Sequence, residues 1–208
     1  MNFYVDSNFL LESVLQQEQA HAVHRILTFA EAKSIQLVCP ILALCEPFSK
    51  IAYLRLDRNR INTNLAGFSR ELQRSPDHLT AVQDIKKVMA YTESLDHKQS
   101  DDLRRESLRL LNCARILLLD HYTLYFAASF QRDYELKLSD AIVAASIVVD
   151  LETQRNFGRR VPSIFASRDK DLDNLSEELK KDDCSFIPSF DDAVKRIEAE
   201  LKRQPHDE

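Results

Sequence analysis

Short apolar runs with strand character alternate along this chain with longer stretches of helical period, and that alternation confines it to an α/β fold with a parallel sheet. Asn2 to Val5 is the first such run, mostly apolar with aromatic and β-branched residues. Asp6 falls where that strand should end. Ser7 and Asn8 follow as helix N-cap types, and an apolar helix is predicted from Phe9. A carboxylate at a strand-to-helix junction lies at the carboxyl edge of a parallel sheet, where open α/β folds keep their sites.

The rhythm continues. Phe9 to Lys33 reads as helix, open to a break midway, and Ile35 to Cys39 as a second strand ended by Pro40. A helix through Leu44, Phe48, Ile51 and Leu54 comes next. From about Ile61 to Asn112 no strand is evident. Leu65, Phe68 and Leu72 are helically spaced, Ser75-Pro76-Asp77 reads as a stop and restart, and Leu79, Val82, Ile85, Val88 and Met89 form one apolar stripe. Ser100-Asp101-Asp102 looks like a further cap before Leu103. The expectation is a single domain, 1–208, with a helical insertion at about 57–112. Thereafter strands are predicted at Ala114 to Leu119, Ser163 to Ser167 and Ser185 to Ile187. Helices are predicted around Tyr122 to Phe130, over the almost wholly apolar Ala141 to Leu151, and over Phe190 to Arg203.

At 208 residues and 44% apolar the chain can bury a sizeable core, and two glycines with 29% charge point to a helix-rich protein. Cys39, Cys45, Cys113 and Cys184 are scattered, three of them in apolar runs, which predicts buried reduced thiols. The six histidines show no zinc spacing with them. No apolar stretch approaches the ~18 residues of a membrane span, and the chain starts directly on a strand, so the expected location is cytoplasmic without a leader. A net charge of −5 argues against a protein that coats nucleic acid. Lys50 to Arg109 nevertheless holds 12 Lys and Arg against 9 Asp and Glu, leaving the remainder at −8.

Four acids stand at matching points of this plan: Asp6 after strand one, Glu46 early in the helix after strand two, Asp140 at the start of the apolar helix, and Asp169 after the fourth strand. Each has a plainer reading. Asp140 can cap its helix, Glu46 can be a solvated first-turn glutamate, and Asp169 lies in a mixed-charge run. Asp6 is hardest to dismiss, since an acid directly after a buried strand needs a partner. If they converge, two carboxylates ~4 Å apart repel by about 4 kcal/mol at an effective dielectric near 20. Oxygen donors with no neighbouring histidine or cysteine select Mg²⁺ or Mn²⁺, ions suited to phosphoryl displacement.

At this point the residues resemble the PIN-domain nucleases, including the VapC-like toxins of toxin–antitoxin pairs. Tyr4-Val5-Asp6-Ser7-Asn8 looks like that family's opening hydrophobic-hydrophobic-Asp-Thr/Ser-Asn. Asp140-Ala141-Ile142-Val143-Ala144-Ala145 is similar to its Asp-Ala-x-Ile-Ala-Ala helix. Phe165-Ala166-Ser167-Arg168-Asp169-Lys170-Asp171-Leu172 is similar to its late strand and Thr-x-Asp/Asn-x-Asp-Phe motif. The resemblance covers about residues 1–56 and 112–190. It implies a three-layer α/β/α fold around a parallel sheet of about five strands. It also implies a metal-dependent endonuclease in which Asp6, Glu46, Asp140 and Asp169 hold Mg²⁺ or Mn²⁺ and water attacks an RNA phosphodiester. Ser7, Asn8, Ser167 and Asp171 would support that site. RNA would be the substrate, with an antitoxin or other protein partner and a homodimer as further options. Two positions depart from the pattern: Ala43 stands where many members have a hydroxyl, and Pro47 follows Glu46, which is comfortable only if the helix has barely begun.

Arg55, Arg58 and Arg60, with Tyr53 and Asn59, form a basic and aromatic cluster near the expected end of the helix that bears Glu46. They are candidates for holding an RNA backbone, or a solvated helix face. His21, His24 and His121 are expected to pack or face solvent. The competing function is a non-catalytic PIN scaffold that binds RNA or protein through the insertion. A phosphatase of the haloacid-dehalogenase type is disfavoured, because Asp6-x-Asn8 lacks that family's second aspartate.

Overall fold

The computed structural model describes residues 1–159 and 161–203, which divide into two compact units, Met1–Pro47 with the segment from Glu106 onward, and Phe48–Arg105. The first unit holds a five-stranded sheet: β1 (Asn2–Val5), β2 (Gln36–Pro40), β3 (Ala114–Leu117), β4 (Ser163–Ala166) and β5 (Cys184–Ile187). The strand order is β3-β2-β1-β4-β5 and every neighbouring pair is parallel. β1 therefore sits at the centre with later strands added first on one side and then on the other. The topological switch point lies between β1 and β4, and in open parallel sheets that is where ligands bind.

The helices are α1 (Ser7–Val14), α2 (Ala20–Glu31), α3 (Ile41–Leu72), α4 (Leu79–Cys113), α5 (His121–Asp133), α6 (Leu138–Asn156), α7 (Ser176–Lys180) and α8 (Phe190–Arg203). Right-handed crossovers send α1 and α2 to one face of the sheet and α5 and α6 to the other, because the chain changes direction after β3. The packing agrees: α2 lies against α1, α8 and β2, while α6 lies against α5, β2 and β3. The apolar helix is α6. Ala141 to Val148 is buried on every side, as a helix apolar all round must be. Phe3, Tyr4, Val5, Phe9, Ile26, Leu37, Ile147 and Phe165 lie in one continuous core within this unit. The expected parallel sheet of five strands is present.

Several local expectations need correction. Asp6, not Ser7 or Asn8, is the N-cap of α1, and its carboxylate accepts from the Asn8 backbone N–H at 3.1 Å. The helix after Phe9 does break, at a left-handed Gln16 with φ of 52°, which lets Gln17 N–H close on the Glu12 carbonyl. Asp140 is not a cap either: it is the third residue of α6, whose N-cap position is Lys137. Pro47 lies inside α3 beyond its first turn, so the helix is well under way when it arrives. Of the cysteines, Cys39 and Cys184 are buried and Cys113 is half-buried, but Cys45 is exposed; all four are free thiols. No helix among the described residues is long and apolar enough to cross a membrane.

The second unit is helical. α3 and α4 contribute its two long segments, joined through a short 3-10 turn at Pro76–His78. Ser100 does not cap a new helix. Its hydroxyl donates to the Asp96 carbonyl at 2.8 Å, and α4 runs straight through. The two segments are tied by polar side chains. Arg58 donates to Asp96 at 2.6 Å and to Gln99 at 2.8 Å, and Asn62 pairs with Thr92 at 2.9 Å.

Candidate functional site

Parallel register builds the core of the site. Val5 on β1 faces Ala166 on β4, so the next residues, Asp6 and Ser167, leave their strands level with each other across the switch point. The Ser167 hydroxyl donates to Asp6 Oδ2, and both residues are buried. The Asn8 side-chain amide donates to the same Asp6 oxygen at 3.0 Å. Ser167 Oγ in turn accepts the Asp169 backbone N–H at 2.9 Å. One hydroxyl thus fixes the first acid and positions the last.

Asp169 caps the 3-10 helix Lys170–Leu175 and accepts the Asp171 backbone N–H at 2.9 Å. Asp171, expected to support the site, has an exposed side chain and meets Asp169 through its backbone amide. Asp140 sits half-buried in the first turn of α6, where the helix dipole favours a carboxylate. Glu46 is half-buried in the second turn of α3, directly after β2. Ser7 opens α1 and makes no side-chain hydrogen bond among the described residues.

The electrostatics show which acids feel one another. Burial pushes Asp6 up to about 7; hydrogen bonds from Ser167 and Asn8 work against that rise, and the Asp169 charge adds to it. Burial also raises Asp140, and the charges of Asp169 and Glu46 raise it further, ahead of the opposing Lys137. Asp169 therefore acts on both Asp6 and Asp140, and Glu46 joins through Asp140. Burial, then the Asp6 charge, pushes the Cys39 thiol up to about 12, so that cysteine is an inert neighbour. Among the described residues none of the four acids is in an ion pair.

The donor set fits a hard cation: it offers carboxylate oxygens only, without a paired Lys or Arg, and burial together with the Asp169 charge raises Asp6 and Asp140 within it. The side chains are not drawn into a closed cage, and among the described residues no three of His, Cys, Asp and Glu form a metal-holding group. The four acids share a field at the carboxyl edge rather than a finished coordination shell.

The arginine cluster divides. Arg58 is committed to Asp96 and Gln99, so it braces the helical unit and is not available to a ligand. Arg55 and Arg60 are exposed. All three lie in the middle of α3, not near its end, because the helix continues to Leu72.

A second polar assembly lies within the first unit. On the α6 face of the sheet, Arg115 of β3 grips Asp150 with two hydrogen bonds of 2.7 Å. Tyr4 donates to the same carboxylate at 2.7 Å, and Gln154 donates to both Tyr4 and Asp150. Only the spacing of Asp150 and Gln154, one helical turn apart, hinted at it. A cavity of about 990 Å³ opens beside this assembly at the amino edge of the sheet, with Met1, Gln36, Arg115 and Gln154 among its walls. It lies away from the four acids, since the strand starts line it and the acids follow strand ends. A cleft of about 600 Å³ lies on the acid side, lined by Asn8, Glu12, Gln16, Gln17, Glu18 and Arg168.

Fold and site together define a parallel α/β domain with an acidic cluster at its switch point. Set against known protein families, curated proteins and solved structures, the chain matches none.

Proposed function

We propose that this protein is a metal-dependent ribonuclease of the PIN type, an endonuclease whose four acids bind Mg²⁺ or Mn²⁺ and hydrolyse RNA phosphodiester bonds. The observation that carries this reading is the shared position of Asp169, whose charge acts on Asp6 and on Asp140 while its amide is tied through Ser167 to Asp6. Acids brought together at a switch point without cationic partners need a cation to remain ionised together.

Asp6, Glu46, Asp140 and Asp169 would hold the ion. When bound, it supplies an activated water and steadies the charge that develops on the phosphodiester oxygens. The chain does the positioning. Ser167 and Asn8 restrain the Asp6 carboxylate, which must lose its proton to bind. Asp169 is restrained through its own amide and that of Asp171. The test is incubation of single-stranded RNA with Mn²⁺ or Mg²⁺. Cleavage should require the ion, stop with EDTA, and be abolished by Asp6→Asn and by Asp140→Asn. Metal-independent cleavage, or full activity in both variants, overturns the proposal.

A second reading has its own support: no closed ligand cage is present among the described residues, and Phe48–Arg105 forms a compact helical unit. On this reading the protein is a non-catalytic PIN scaffold that binds RNA or a protein through the helical unit. It predicts RNA binding without cleavage, weakened by Arg55→Ala and Arg60→Ala and indifferent to Mn²⁺.

A further inference from the structure

We infer that the cleft lined by Asn8, Glu12, Gln16, Gln17, Glu18 and Arg168 is a nucleobase subsite, in which Arg168 reads guanine in a single-stranded RNA lying across the acidic edge. The inference rests on the ribonuclease reading and names the base its substrate would carry. The cleft's volume of about 600 Å³ falls within the range of small-molecule sites. Its walls begin at the acids themselves: Asn8 is hydrogen-bonded to Asp6, and Arg168 lies between Ser167 and Asp169.

Charge decides what this cleft can recognise. One guanidinium nitrogen, Nη1, is bound by Glu12, which is only 2% exposed. The other oxygen of Glu12 accepts the Gln19 backbone N–H at 3.0 Å, so that carboxylate is fully used. Glu18, 85% exposed, touches Nη2 at 3.4 Å. Two carboxylates around one guanidinium leave no positive charge to anchor a phosphate.

What remains is hydrogen-bonding geometry. The buried Glu12 holds Nη1 on one side of the guanidinium. Arg168 Nε carries no hydrogen bond among the described residues, so Nε and Nη2 present a two-pronged edge once the exposed Glu18 swings aside. A guanidinium fork of this kind matches the O6 and N7 acceptors of guanine, and unstacked RNA bases are read on their edges. The amides of Asn8, Gln16 and Gln17 add further polar groups. Gln16 holds the left-handed φ of 52° and donates its side-chain N–H to the Ser13 carbonyl at 2.6 Å, leaving its amide oxygen for a ligand. Backbone held in that region by a non-glycine residue is found disproportionately at ligand sites.

The test uses the full chain carrying Asp140→Asn, so that RNA is bound and not cut. Fluorescence anisotropy would measure its affinity for short oligouridines holding one variable nucleotide. The expected result is about tenfold tighter binding when that nucleotide is guanosine. Adding Arg168→Ala or Arg168→Lys should abolish the preference, bringing the guanosine oligomer to the affinity that the same variant shows for plain oligouridine. Arg168→Lys retains the charge without the fork, so its loss of preference separates base reading from simple attraction. No guanosine preference in the parent overturns the inference. So does an Arg168→Ala variant that binds every oligomer equally more weakly with a salt slope lower by about 1, the mark of a phosphate contact. Wild-type cleavage without base preference defeats the subsite alone. Guanosine-selective binding with no Mn²⁺-dependent cleavage by the wild type defeats the ribonuclease reading alone.

Discussion

The Ser167 hydroxyl donates to the Asp6 carboxylate across the junction of β1 and β4, joining the two strand ends on either side of the topological switch point. The same oxygen accepts the Asp169 amide, so one side chain governs two of the four acids. Ser167→Ala would leave a buried carboxylate short of one donor and the Asp169 amide without its acceptor. The expected cost is about 1–3 kcal/mol in urea unfolding. Mn²⁺ affinity should fall as well, because the Asp6 proton becomes harder to remove. Ser167→Thr should restore most of both.

Asp6 makes stability depend on pH in a defined direction. Burial and Asp169 raise its carboxyl to about 7, whereas in the unfolded chain it ionises near the ordinary aspartate value of 3.8. Between those limits the folded state holds a proton that the unfolded state has lost. Its contribution is therefore complete below about pH 4 and declines as pH rises to about 7. Thermal melts in EDTA should show stability falling across that window, and Asp6→Asn should flatten the fall. In Mn²⁺ the fall should shrink, since the cation binds the ionised form.

The Asp150 assembly behaves in the opposite sense. Burial favours its protonated form, but hydrogen bonds from Arg115 and Tyr4 outweigh that and hold its carboxyl below the usual range. Its contribution is present above the ordinary carboxylate range and is lost as pH falls through the depressed value. Asp150→Ala would strand the buried Tyr4 hydroxyl and leave Arg115, 40% exposed, to water, and should cost about 1–3 kcal/mol. Urea denaturation at neutral pH would measure the loss, which should shrink in acid. The RNA binding proposed for the carboxyl edge should be untouched.

Within the helical unit the three arginines separate by role. Arg58→Ala removes the partner of Asp96 and Gln99 and should destabilise by about 2–4 kcal/mol, visible as faster amide exchange across α3 and α4. Arg55→Ala and Arg60→Ala should stay within about 0.5 kcal/mol of the wild type, as exposed positions do.

Much of the fold was legible because local signals and tertiary structure agree. The strand Asn2–Val5 and the helix Phe190–Arg203 have the bounds that hydrophobic period and capping residues suggest. The misreadings arise where a side chain has two local options. Ser100 looks like a cap but bonds back to Asp96 within a continuous helix, and Asp6 takes the capping role that Ser7 and Asn8 advertise. Cys45 sits in an apolar run yet points outward, because a helical turn exposes what a strand would bury. The Tyr4, Arg115, Asp150 and Gln154 assembly joins three distant segments and has almost no local signal. At the site, Asp6, Asp140 and Asp169 follow from strand ends and helix starts. Ser167 entered only through the likeness to PIN nucleases, and the Arg168–Glu12 pair through neither route, since it depends on the register of β1 and β4.

Isothermal titration of Mn²⁺ into the wild type at neutral pH, and into Asp140→Asn, tests most directly whether the four acids form one cation site. Saturable binding is expected, with proton release and at least tenfold weakening in Asp140→Asn. No heat of binding in the wild type, or equal affinity in the two proteins, would contradict the site and leave the scaffold reading in its place.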